Sequence, residues 1–243
     1  MKYVLIIGAK SELGIELASL YAKNKYNLYL AGRSIDSIKN KADRIAKENN
    51  VQITLHELDI TNLNSHQEFY DSLNIKPIGI IYAAGYTPKQ SEALLNWKET
   101  SNTINVNYIG AISILNIAVL EFQKSQRGFI VGITSVAGLR GRGENYIYGS
   151  AKAGFMTYLN GLRNSLSKYN INVLTVIPGL IKSRKGSQYN LPEFLYVKPK
   201  ILANSIFRSQ QSNRSIIYSG LAWRVIMFII KIIPDFIFKR MSI

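Results

Sequence analysis

Apolar and polar residues in this chain fall into blocks. Runs of five to eight mostly apolar residues recur at 3–7 (YVLII), 27–31 (NLYLA), 51–58 (VQITLHEL), 78–84 (IGIIYAA), 128–135 (GFIVGITS), 171–178 (INVLTVIP) and 215–220 (SIIYSG). Between them the apolar positions take helical spacing over 12–25, 35–49, 62–73, about 97–125 and about 146–168. Strands that read as continuous apolar runs and alternate with helices predict a parallel sheet covered on both faces. No internal repeat, low-complexity segment or linker breaks the alternation. One doubly wound α/β domain of about seven strands is predicted. Residues 1–220 form its body, and 221–243 form an apolar, basic C-terminal helix of the same domain.

Composition narrows the chemistry. With 243 residues, 47% hydrophobic and 19% charged, the chain can bury a sizeable core. It has no cysteine, which excludes disulfides, thiolate catalysis and Cys-ligated zinc. The two histidines, His56 and His66, fall in different elements and read as surface or strand residues, so no metal is expected. The apolar run in the opening MKYVLIIGAK is too short for a signal peptide and reads as the first strand of a cytoplasmic chain. The net charge of +15 is skewed toward the end: from Lys182 onward eleven basic residues face only Glu193 and Asp235, a surplus of nine. That bias suits a phosphate, phospholipid or nucleic-acid partner, or reflects general basicity.

Two local patterns carry chemistry. GAKSELG (8–14) follows the first strand and opens a helix, where backbone amides and the helix N-terminus can meet a diphosphate. Gly8 permits the tight turn and Gly14 close helix–strand packing. The second strand ends LAGRS: a carboxylate there would mark NAD, but this chain has Gly32, then Arg33 and Ser34, with Lys10 in the glycine turn. The missing anion and nearby guanidinium suit a 2′-phosphate, hence NADPH; the other reading is a solvated loop arginine. In ENYIYGSAKAG (144–154), Tyr148 lies four residues before Lys152 and shares its helix face, whereas Tyr146 points elsewhere. A cation beside a phenol lowers its pKa from about 10. Taken alone, the pair could equally be a solvated helix face.

Together these motifs resemble the short-chain dehydrogenase/reductase family from residue 1 to about 220, which implies a Rossmann-like fold. GAKSELG is similar to its Gly-Ala-x-Ser-x-Ile-Gly turn and so adds Ser11 and Leu13 to the expected cofactor contacts, with Glu12 in place of the middle glycine. LDIT matches the adenine-pocket segment, implying Asp59 and Ile60. YAAG stands where Asn-Asn-Ala-Gly is usual and retains Ala83, Ala84 and Gly85. NVNYIG places Asn107 at the catalytic asparagine, and ITSVAG places Ser135 at the catalytic serine, thirteen residues before Tyr148. IPGLIKS matches Pro-Gly-x-x-x-Thr and implies Pro178, Gly179, Ile181 and Ser183 at the nicotinamide end. The resemblance implies that Tyr148 protonates the carbonyl oxygen, Ser135 donates a second hydrogen bond to it, and Lys152 binds the nicotinamide ribose and lowers the Tyr148 pKa. Asn107 is then expected to hold a relay water. A homo-oligomer, dimer or tetramer, is also expected.

The tail changes the picture of the substrate. From Leu221 to Phe238, fourteen of eighteen residues are apolar. Arg224 and Lys231, seven apart, share one helix face, so a membrane span is disfavoured and an interfacial helix or an oligomer contact is expected. The ending IIPDFIFKRMSI resembles the tails of polyprenylphosphoryl keto-sugar reductases. The reading is an NADPH-dependent ketone reductase acting on an amphiphilic or sugar-lipid substrate, peripheral at the inner membrane face. Alternatives are a soluble reductase of acyl-carrier or small keto substrates and a non-catalytic dinucleotide-sensing module. A nucleic-acid partner is not expected, because the basic residues are mixed with aliphatics rather than spaced aromatics.

Overall fold

The computed structural model describes residues 2–182 and 192–241. Strands β1 (Tyr3–Ile7), β2 (Asn27–Gly32), β3 (Ile53–Glu57), β4 (Gly79–Tyr82), β5 (Gly128–Ile133) and β6 (Ile171–Ile177) lie within two residues of most of the expected bounds. Two short strands, β7 (Leu180–Ile181) and β8 (Tyr196–Val197), pair with each other, and β9 (Ile216–Tyr218) closes the series. Among the described residues, seven strands form one parallel sheet in the order β3-β2-β1-β4-β5-β6-β9. The order reverses between β1 and β4, and in such sheets ligands bind outside the carboxyl ends of the strands at that point.

β1 is buried at all five positions because its alternate residues serve opposite cores. Val4 and Ile6 pack with Ile81 and Val131 on one face, while Leu5 and Ile7 pack with Tyr82 and Phe155 on the other. Helices α1 (Glu12–Lys23), α2 (Lys39–Asn49) and α3 (His66–Asp71) follow the first three strands. A short α4 (Gln90–Leu95) precedes the helix expected over 97–125, which is present as α5 (Trp97–Ile104), a π-helical turn at Asn105–Ile109 and α6 (Gly110–Ser125). Next come α7 (Tyr146–Leu166) and α8 (Pro199–Gln211). α8 has no counterpart in the sequence reading, yet parallel β6 and β9 need such a crossover. Leu202 and Ile206, one turn apart, bury its inner side. His66 is corrected: it sits fully buried in α3, its Nδ1 2.8 Å from Ser113 Oγ, rather than on a surface or strand.

The tail forms α9 (Leu221–Ile232), a break at Pro234 and α10 (Asp235–Phe238). One face of α9 is part of the protein's interior: Trp223 and Met227 pack with Val136 and Ile177. The Trp223 indole donates to the Leu195 carbonyl at 2.8 Å. A Cβ on Gly179 would lie 2.0 Å from Trp223 Nε1, so the indole fits only over a glycine. Arg140 caps the carbonyl end of α9, donating to Ile230 at 2.5 Å and Ile233 at 2.7 Å. Its guanidinium also lies 3.7 Å from the Phe238 ring centroid. Trp223→Ala should therefore destabilise the protein by about 3 kcal/mol, read from urea denaturation midpoints. A change below about 1 kcal/mol would mean that α9 is not anchored through this residue.

Candidate active site

The expected phosphate end lies where β1 turns into α1. Gly8 has a left-handed φ of 85°, and a Cβ there would lie 2.5 Å from the Ala84 amide nitrogen. The turn and the segment after β4 can thus close together only at a glycine. Ser11 caps α1: its hydroxyl accepts from the Gly14 amide at 3.0 Å and donates to the Gly8 carbonyl at 2.9 Å. The Leu13 side chain is buried in the core, so a ligand can meet only its backbone, whereas Lys10 is exposed. Ala83 is tied to β1 through its amide and the Ile7 carbonyl at 2.9 Å.

At the expected adenosine end, the nearest atom to a Cβ on Gly32 would be 3.9 Å away. The missing side chain therefore leaves space at the end of β2, where a carboxylate would repel a 2′-phosphate. Ser34 adopts a left-handed conformation, φ 50° and ψ 45°. Glu57, opposite Gly32 in the strand register, holds it there by accepting from the Ser34 and Ile35 amides at 2.8 and 3.1 Å. Those bonds keep the Glu57 carboxyl below the usual range. Asp59 accepts from the Thr61 amide and hydroxyl at 2.9 and 2.8 Å. Burial raises its carboxyl, but the Thr61 bonds and the Arg33 charge outweigh that and hold it low. Ile60 beside it is buried.

The catalytic-type residues come from three elements. Ser135, just past β5, caps a short 3-10 turn and accepts from the Ala137 amide at 3.2 Å. That turn packs directly on α7: Cβ atoms on Gly138 and Gly149 would lie 2.7 Å from the Ala153 nitrogen and 2.8 Å from the Ala137 oxygen. Tyr148 is half-buried in the first turn of α7, while Tyr146 is 43% exposed. The Lys152 Nζ lies 5.8 Å from the Tyr148 ring centroid and donates to the Ile133 carbonyl at 3.0 Å. Lys152 is buried, and burial pulls its pKa down to about 7. Asn107 sits fully buried in the π-helical turn, a feature frequent at functional sites. Its side-chain amide donates to the Tyr86 and Thr103 carbonyls at 2.6 and 2.9 Å, tying this turn to the segment just after Gly85.

At the far end, the Pro178 carbonyl accepts from the Val136 amide at 2.9 Å, joining the end of β6 to the Ser135 turn. The Gly179 amide donates to Ser219 Oγ at 2.8 Å, and Ile181 lies half-buried in β7. Ser183 lies outside the described residues. Two contributors escaped the sequence reading. Glu57 is identified only by the register of β2 with β3, and Tyr86, which also hydrogen-bonds Glu99, only by its contact with Asn107.

Burial of Lys152 makes stability depend on pH. Between pH 7 and its ordinary range, Lys152 binds fewer protons in the folded than in the unfolded chain, so stability rises with pH there. From pH 7 to 9 this residue should add about 2 kcal/mol to the stability of the cofactor-free protein. Lys152→Met should remove that rise in urea titrations at the two pH values. Superimposable pH profiles for both proteins would show that Lys152 does not titrate in this way.

The chain is similar to known proteins over most of its length. A model of the short chain dehydrogenase family matches residues 2–192. An uncharacterised oxidoreductase of Mycobacterium tuberculosis is 28% identical over 241 residues, spanning 98% of this chain and 96% of the relative. A short-chain dehydrogenase from Sphingobium yanoikuyae in complex with NADPH superposes over 97% of each chain, with a TM-score of 0.84 and 22% identity. An alcohol dehydrogenase from the archaeon Thermococcus sibiricus, complexed with 5-hydroxy-NADP, is similar over 90% of this chain and 95% of its own, with a TM-score of 0.77 and 22% identity. At those identities the structural likeness speaks for the fold. The family model, matching most of the sequence, speaks for descent: the chain belongs to the short-chain dehydrogenase family.

Proposed function

We propose that the protein reduces a ketone to an alcohol with NADPH, and that the ketone is carried on an amphiphilic molecule such as a polyprenyl-phosphate sugar. The observation that carries the reductase reading is the buried Lys152 beside Tyr148, locked against the Ser135 turn by Gly138 and Gly149. A dinucleotide-sensing or interaction module has no need to bury an amine there. The space at Gly32, next to Arg33 and the shaped Ser34 turn, supports a cofactor with a 2′-phosphate, as do the NADP-type ligands of the two structural relatives.

Bound NADPH supplies the hydride that the carbonyl carbon accepts. Negative charge then develops on the carbonyl oxygen and needs donors placed in advance. Ser135 gives that oxygen a hydrogen bond, and the Tyr148 hydroxyl gives it the proton that completes the alcohol. Lys152 acts on Tyr148 through its charge. As an ammonium it favours the phenolate left after proton transfer, and an amine near pH 7 can also pass the replacing proton onward. Asn107 contributes by position: its side chain is committed to Tyr86 and Thr103, so a relay water would rest on the backbone of the π-helical turn. The same reading places the protein as a homo-oligomer at the cytoplasmic face of a membrane, where a lipid-linked ketone would be met.

Tyr148→Phe should abolish reduction while NADPH affinity stays within about threefold, since the hydroxyl acts in the transition state. Tyr146→Phe should retain most activity. The reverse pattern in steady-state assays would reject the assignment. NADPH should bind at least about tenfold tighter than NADH, and Arg33→Ala should lose about 1.4 kcal/mol or more of that preference in a fluorescence titration. Equal affinities in the unmodified protein would refute the cofactor choice. A product-resolved screen of polyprenyl-phosphate keto sugars, fatty ketones and acyl-carrier substrates tests the substrate class. Turnover confined to acyl-carrier or small ketones would overturn the lipid part alone.

A further inference from the structure

We propose that the outward side of α9 and α10 is a docking surface for an anionic lipid bilayer. α9 is apolar on two opposite faces. Trp223 and Met227 face inward and are buried, whereas Val225, Phe228, Ile229 and Ile232 lie on the other side of the helix. At about 100° per residue these four span a single outward sector. Phe228 is 67% exposed and Ile232 64%, and beyond the Pro234 break Phe236 continues the surface at 64%. Soluble proteins rarely leave so many large apolar side chains exposed together without a partner.

Charge identifies the partner. Arg224 and Lys231 are exposed and lie about 20° apart at one edge of the outward sector. Lys239 and Arg240, also exposed, follow α10. The one acid between residues 221 and 243, Asp235, lies 3.8 Å from Arg140. A helix sunk to the depth of its apolar side chains can extend such arginines and lysines to lipid phosphates. A second copy of the chain would bring these cations against their own kind across a two-fold axis, and protein interfaces are depleted in lysine. Anionic headgroups complement the border, and acyl chains accept the apolar sector.

A membrane span is a different matter. The described stretch long and apolar enough to cross a bilayer is Trp97–Ser125, and 44% of its apolar window is buried within the protein. Its middle carries the buried Asn107, so it is occupied as a core element. The docking face is tied to the active site from behind. Arg140, between Ser135 and Tyr148 in the chain, caps α9, and Val136 packs against Trp223. A docked bilayer would therefore lie against the element that covers the Ser135 turn. The inference extends the membrane location proposed above, but it does not depend on the identity of the ketone, because vesicle binding requires no turnover.

The test is co-sedimentation of the full-length protein with vesicles of phosphatidylcholine alone and of phosphatidylcholine with phosphatidylglycerol. Two variants alter only exposed side chains: Phe228→Asp with Ile232→Asp, and Arg224→Glu with Lys231→Glu. The unmodified protein should bind the anionic vesicles and not the neutral ones, and binding should weaken as salt is raised. Each double variant should bind at least about tenfold more weakly, with circular dichroism and NADPH affinity unchanged. Failure of the unmodified protein to bind anionic vesicles would overturn the proposal, as would undiminished binding by the variants. A vesicle-indifferent dimer that Phe228→Asp with Ile232→Asp splits in sedimentation equilibrium would assign the face to a second copy instead.

Discussion

Helix α7 and the turn after β5 approach so closely that a methyl group on either side would part them. A Cβ on Gly138 would strike the backbone of Ala153 and Lys152, and one on Gly149 the Ala137 carbonyl. Much of the site follows from this contact. It sets the Ser135 cap against the first turns of α7, from which the Lys152 side chain runs inward beside Tyr148 to the Ile133 carbonyl. Burying an amine is unfavourable, and one carbonyl only partly compensates for lost water. The rest of α7 offsets that cost, because Phe155 and Leu159 fill the core beneath Tyr82 and Ile130. The ordinary hydrophobic half of the helix thus sustains the strained electrostatics of its first two turns.

The strands were legible because parallel strands buried on both faces appear as unbroken apolar runs. The phase of α7 was legible for the same kind of reason: Tyr146 and Tyr148 differ by about 200° around a helix, and the structure leaves one exposed and the other half-buried on the Lys152 side. Long-range features were not. Glu57 shapes the Ser34 turn only because β3 pairs with β2 in a register that places it opposite Gly32. α8 was missed because its apolar positions are sparse: Leu202, Ala203 and Ile206 are buried while Ile201 is exposed. The π-helical turn also left no local signal, since its extra residue is stabilised by Asn107 reaching across to Tyr86.

In the tail, the sequence showed composition but not allocation. Fourteen apolar residues in eighteen could all face inward, or none. Helical phase divides them between a face that packs on Val136 and Ile177 and a face with no cover among the described residues. The inner face makes the tail structural even where the outer face serves recognition. Shortening the chain at Gly220 would therefore remove interior packing together with any surface function.

Arg140 has a consequence for how such a chain can change over generations. Its guanidinium, with a side chain only 17% exposed, is satisfied by carbonyls that exist only where α9 stops, and by the Phe238 ring. A relative that ends its helix one turn earlier would strand that cation, and a relative without an arginine here would leave the helix end uncapped. The loop leading into Tyr148 and residues 230–238 are therefore coupled through this one side chain. In a chimera that grafts a foreign tail onto this body, residue 140 is the part that must travel with it.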